Sequence, residues 1–185
     1  MGRLVDCYES RFSKASPWFV RVGGDDPLVS IEGIQWLLKE LWMRDDKEDI
    51  GMIYSSYDAG MIYGCAVEIF NARHFKNVLE SVNKIKDDDK KRAYREHTKP
   101  AFHDKDIKNK LAYKIIKGVI PEGAKNNTIS LSIDYPQDFL LCSYIANQLV
   151  EHKGVDYTHD DLIEVLQDLN RKLLINSELH DGFGE

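Results

Sequence analysis

Thr128-Ile129-Ser130-Leu131-Ser132-Ile133 alternates hydroxyl and apolar side chains. A period of two predicts a strand with Ile129, Leu131 and Ile133 on its core face. Asp134-Tyr135-Pro136 then turns, with proline suited to the start of a helix. Phe139, Cys142, Ala146, Leu149 and Val150 repeat at helical spacing until Gly154 closes the segment. The same order of strand, cap and helix occurs upstream. Residues 50–70 alternate and are rich in Ile, Tyr and Val, interrupted by Ser55-Ser56-Tyr57-Asp58-Ala59-Gly60. This predicts a hairpin over 51–56 and 61–70, turned near Gly60. Asn71 then caps a helix whose stripe is Phe75, Val78, Leu79, Val82 and Ile85.

Working outward, Trp18-Phe19-Val20-Arg21-Val22 is a strand ended by Gly23-Gly24. Asp26-Pro27 is one helix-start signal and Ser30 another, ahead of Ile31, Ile34, Leu38 and Leu41. Asp87-Asp88-Asp89 caps a short helix, and Asp104 or Asp106 caps a further one with Ile107, Leu111, Ile115 and Ile116 on one face, ending before Gly118. Thr158 caps the last helix, with Asp161 as its reciprocal partner and Leu162, Val165, Leu166, Leu169 and Leu173 facing the core. These elements predict an α+β fold. A small, mostly antiparallel sheet (hairpin 51–70 plus strands near 18–22 and 128–133) packs with five to six helices in a single domain over 1–177. Residues 178–185 read as a frayed tail. With 185 residues and 43% hydrophobic content, the chain can bury a core, which excludes disorder of its body.

The charge is uneven. Residues 84–117 carry 12 Lys and Arg against 6 Asp and Glu, while 118–185 carry 4 against 12. The basic helical segment offers Lys90, Lys91, Arg92, Arg95, Lys99, Lys105 and Lys108 as a surface for an acidic protein or a polyanion. Trp36, Tyr54 and Tyr57 are a second, aromatic choice of docking surface. Cys7, Cys65 and Cys142 are an odd number, far apart, which excludes a disulfide framework and suits buried thiols in a reducing compartment. No segment reads as a signal peptide or a membrane span, and the expected location is cytoplasmic.

No phosphate-binding glycine loop or nucleophile elbow is present, and Gly23-Gly24-Asp25-Asp26-Pro27 reads as a turn because its aspartates repel an anion. Three His-Asp pairs occur, at His103, His159 and His180, without the pattern of a metal phosphohydrolase. His97, His103, Asp104 and Asp106 are the densest group of metal-ligating types, but Pro100 breaks the helical spacing a zinc pair needs. The sequence therefore favours a binding protein over an enzyme. The expectation is a small inhibitor or adaptor of a protein or ribonucleoprotein, like an immunity protein or a phage anti-defence protein, with no cofactor. Its alternatives are a metal-dependent hydrolase or nuclease using residues 96–106, and an RNA or single-strand module using 84–117. No residue pattern names the partner, a substrate or an oligomeric state.

Overall fold

The computed structural model describes residues 16–126 and 129–172, together with 1, 4, 7 and 8. Among these residues it has seven α-helices and a four-stranded mixed sheet, an α+β fold. The chain divides into two compact units: residues 1–21, 41–53 and 68–116 form the first, and 22–40, 54–67 and 117–185 the second.

The first unit is built on the sheet. Its strands are β1 (Trp18–Arg21), β2 (Ile50–Tyr54), β3 (Glu68–Asn71) and β4 (Lys114–Lys117), in the order β1-β3-β2-β4. β1 and β3 are antiparallel, with Phe19 opposite Phe70 and Arg21 opposite Glu68, whose side chains pair at 3.0 Å. Aromatic residues at these positions cover the pleat and set the register. Helix α2 (Ala72–Asn83) starts where Asn71 accepts hydrogen bonds from the amides of Arg73 and His74. It buries Phe75, Val78 and Val82. Helices α3 (Asp88–Glu96), α4 (Thr98–His103) and α5 (Lys105–Leu111) follow. The core here is aromatic: Phe19, Phe70, Phe75 and Phe102 pack with centroids 4.9–5.7 Å apart.

The second unit contains most of α1 (Ile31–Trp42), with α6 (Pro136–Lys153) and α7 (His159–Lys172). Its core is aliphatic, built on Leu28, Met61, Ile62, Leu131, Ile145 and Leu166. Helix α1 begins after Ser30, whose Oγ accepts the Gly33 amide at 2.9 Å, so Asp26-Pro27 is not its cap. Helix α7 starts at the expected reciprocal pair: Thr158 N–H donates to Asp161 at 2.9 Å, and Asp161 N–H to Thr158 Oγ1 at 3.2 Å. Among the described residues no helix is long and apolar enough to cross a membrane.

Three expected elements differ. Residues 129–133 form no strand; they make one parallel bridge, Tyr63 to Ser130, because successive amides bond to different segments. Leu131 is fully buried, but Ser130 and Ser132 are buried beside it while Ile129 and Ile133 are only half-buried, so the expected alternation of core and surface does not hold. The helix expected to run through Ile116 stops at Leu111, where Ala112 takes a left-handed φ of 51°. Ile115 and Ile116 lie instead on the edge strand β4, between two lysines that protect it. β2 and β3 are sheet neighbours, but 55–67 is a long connection in the second unit and not a hairpin arm. Leu173, His180, Asp181 and the tail 178–185 lie outside the described residues.

Candidate functional site

In the second unit, the turn Gly23-Gly24-Asp25-Asp26 closes with the Asp26 amide donating to the Gly23 carbonyl at 3.4 Å. Both aspartate carboxylates fold back over Gly23. A β-carbon there would sit 2.3 Å from Asp26 Oδ2 and 2.5 Å from Asp25 Oδ1 and push both aside. The segment after residue 128 runs into this turn. Leu131 N–H donates to the Tyr63 carbonyl and Ile133 N–H to the Asp25 carbonyl, each at 2.8 Å. The first of these bonds needs Gly64, which has φ +85° and approaches so closely that a β-carbon would lie 2.4 Å from the Leu131 carbonyl carbon. Asp138, in the first turn of α6, is buried and accepts the amides of Asp134 at 3.0 Å and Tyr135 at 2.8 Å. That clamp fixes where Asp134 leaves the core.

Asp25, Asp26 and Asp134 are thus gathered around Tyr63. Burial raises the pKa of the Tyr63 phenol, and Asp134, Asp26 and Asp25 raise it further, so the hydroxyl keeps its proton as a donor. Tyr57 stands edge-on to Tyr63 at 6.2 Å, and both rings are about half exposed. Carboxylates beside aromatic rings repel a bare anion and attract a cation, above all a hard divalent one. Among the described residues no group of three or more His, Cys, Asp or Glu side chains can hold a metal ion. Any divalent ion here would therefore need further oxygen ligands from a substrate, as magnesium takes them from phosphates.

Read singly, these residues give only turn signals, and the acidic turn suggested the opposite of a phosphate site. The residues that the sequence did single out lie elsewhere. Lys90, Lys91, Arg92, Arg95, Lys99, Lys105 and Lys108 fall on α3, α4 and α5 of the first unit. Lys90 pairs with Asp104 at 2.8 Å, Lys91 with Asp88 at 3.4 Å and Arg92 with Asp89 at 2.6 Å, and Arg95 donates to Asn83. Tyr54 is buried in β2, and Trp36 packs edge-on against His159, so of the three docking aromatics only Tyr57 is open. The alternative metal group is not assembled. Asp104 is committed to the amides of Asp106 and Ile107, to Tyr94 and to Lys90. Burial and then Lys99 and Lys108 lower the pKa of His103, while His97 and Asp106 are exposed at separate helix starts.

No protein-family model matches the chain, and no curated protein matches it in sequence. It is similar in structure to a cytidylyltransferase from Leptospira borgpetersenii serovar Hardjo-bovis (strain JB197), with TM-score 0.67 and 18% identity over 92% of this chain. The chain spans 63% of the length of that structure. At this identity the likeness shows the fold. It overturns the inhibitor or adaptor expectation, with its immunity and anti-defence variants, because the fold is shared with a cytidylyltransferase.

Proposed function

We propose that the chain belongs to a nucleotidyltransferase of the cytidylyl-transfer type and binds a cytidine nucleotide at the Asp25, Asp26, Asp134 and Tyr63 site. The observation that carries this reading is the shared fold over 92% of the chain. The geometry agrees with it: three carboxylates gathered by two backbone bonds suit a triphosphate that arrives with a divalent cation. Asp25 and Asp134 would hold that cation, which supplies neutralisation of phosphate charge. In the transfer, an acceptor oxygen bonds to the α-phosphorus and gives up its proton. The bond from that phosphorus to the bridging oxygen breaks, and pyrophosphate leaves with the electron pair. Tyr63 donates its phenolic proton as a hydrogen bond, and the exposed Tyr57 ring offers a stacking face. A cytoplasmic setting is part of the same proposal, and the unbridged Cys65 and Cys142 suit it.

Calorimetric titration of the chain with CTP and magnesium tests the reading. Saturable binding is expected, weakened about tenfold or more in the Asp25→Asn, Asp134→Asn double variant, the scale of one lost charge contact. Absence of CTP binding, or equal binding by the double variant, would overturn it.

A further inference from the structure

Helix α6 is apolar on two sides. Cys142, Ile145 and Leu149 are buried in the core of the second unit. Phe139, Leu140, Tyr144 and Val150 face outward, 57%, 67%, 46% and 50% exposed. The positions between them are the small, uncharged Ser143 and Asn147, with Glu151 at the far end. A surface helix carries charge on its outer face, whereas one that is apolar all round is covered on both sides. About half of each of these four side chains is open, roughly 400 Å² of apolar surface, the size at which an exposed patch is often functional.

The course of α7 points to what covers this face. The short connection 154–158 joins α6 to α7, so the two run antiparallel. Lys153 sets their register: its ammonium pairs with Asp161 at 3.0 Å and with Glu164 at 3.1 Å. From there α7 runs about 12–16 Å further at 1.5 Å per residue, which brings Lys172 level with the turn of α6 that holds Tyr144, next to Leu140 and Phe139. The sequence continues past that point through residues 173–185, and among them Ile175, Leu179 and Phe183 recur at a spacing of four, with Leu174 beside the first. Extended, such a segment reaches about 40 Å, more than the roughly 27 Å length of α6. A second copy fits less well, because a stable interface buries about 800 Å² per partner, about twice this patch. A free partner would compete with a segment tethered at the edge of the face, whose effective concentration is on the order of millimolar.

We propose that the outer face of α6 is the docking surface for the chain's own segment 174–183. Ile175 and Leu179 are its anchors, set against Phe139, Leu140, Tyr144 and Val150. The proposal does not rest on the nucleotide reading, although the exposed Tyr135 joins this face to Asp134.

The experiment is NMR of the whole chain, labelled at Ile, Leu and Val methyls and at Phe and Tyr rings. Nuclear Overhauser contacts are expected from the Ile175 and Leu179 methyls to the Phe139 and Tyr144 rings, unchanged on dilution. In the Ile175→Asn, Leu179→Asn variant, the Leu140 and Val150 methyl signals should shift and binding of a hydrophobic dye should rise as the face is uncovered. Unmoved signals of Leu131 and Leu166 in the core show that the variant is folded. Contacts found only between a labelled and an unlabelled copy would assign the face to a second copy and overturn the proposal. Ile175 and Leu179 signals with no contact to α6 in the unsubstituted protein, a measurement that needs no variant, would overturn it too. So would α6 signals that do not move in the folded variant. None of these readouts uses nucleotide, and a separate CTP titration keeps failure of this surface apart from failure of the nucleotide reading.

Discussion

Asp104 links two helices of the first unit, α3 and α5, through one carboxylate. It caps α5 through the amides of Asp106 and Ile107, both at 3.0 Å, accepts the Tyr94 hydroxyl at 2.8 Å, and pairs with Lys90. Burial pushes its pKa up, but Lys90, the Ile107 amide and Tyr94 together outweigh burial and hold it at about 2. The folded pKa is thus below the unfolded value of about 3.9, so the stabilisation is complete above that value and is lost as pH falls towards 2. Asp58 and Asp161 are held at about 2 as well and share this window. Replacing Asp104 by Ala should cost about 1 kcal/mol or more at neutral pH from the lost cap alone. Urea melts should also show a flatter loss of stability between about pH 4 and 2. An unchanged slope would mean that the carboxylate is not perturbed as described. The cysteines offer a second test at this scale. Cys7 is exposed, whereas burial, Asp138 and Asp26 push the Cys142 thiol up to about 11, and burial above all pushes Cys65 higher still. A thiol reagent at mildly alkaline pH should label Cys7 in the native chain and all three cysteines in denaturant. Native labelling of Cys65 would contradict its placement against the Leu28 carbonyl.

At the level of elements, the segment after residue 128 carries the clearest expectations. Leu131 is fully buried, and Leu131→Ala should cost about 2–5 kcal/mol, measured by denaturant unfolding. Gly64→Ala places a β-carbon against backbone at a positive φ and should cost about 1–3 kcal/mol. Gly24→Ala, with open space around its Cα, serves as the mild control. The same segment shows what the sequence makes legible. Alternation reads burial one residue at a time and puts Leu131 inward correctly, but it sets Ser130 and Ser132 outward although both are buried. Pairing is not read that way: the amides of Leu131 and Ile133 bond to Tyr63 and Asp25, partners that no local pattern identifies. Caps were legible at Asn71, Asp104 and Thr158 for the opposite reason, since each closes a bond within three residues. Ile115 and Ile116 continue the helical spacing from Ile107 and Leu111, so β4 was hidden behind the left-handed Ala112, a residue type that gives no warning of positive φ. The candidate site stayed invisible because Asp25, Asp26 and Asp134 are turn residues until the chain folds. Their chemistry lies in their meeting.

Over the whole molecule, the two units differ in sign. The first carries 19 Lys and Arg against 14 Asp and Glu, and the second 6 against 17. Much of the positive charge on α3 is answered by its own acids, as in Lys91 with Asp88 and Arg92 with Asp89. The proposed nucleotide site lies in this acidic second unit, with Asp25, Asp26 and Asp134 near Tyr63, which has a consequence for binding. A free triphosphate is repelled there, and salt relieves repulsion by shortening the Debye length to about 8 Å at physiological strength. CTP without a divalent ion should therefore bind weakly, and its affinity should rise or stay level as salt increases. Magnesium should strengthen binding about tenfold or more by bridging phosphate and carboxylate. A nucleotide seated on the basic helices would behave in the opposite way, losing affinity steeply with salt as polyanions do. Charge reversal at Lys91, Arg92 and Arg95 separates the two cases. It should leave CTP affinity unchanged within about twofold, because exposed charges that do not touch the ligand are screened by solvent and salt. A steep fall in affinity with salt, abolished by that triple reversal, would move the nucleotide to the first unit and leave Asp25, Asp26 and Asp134 as a structural turn.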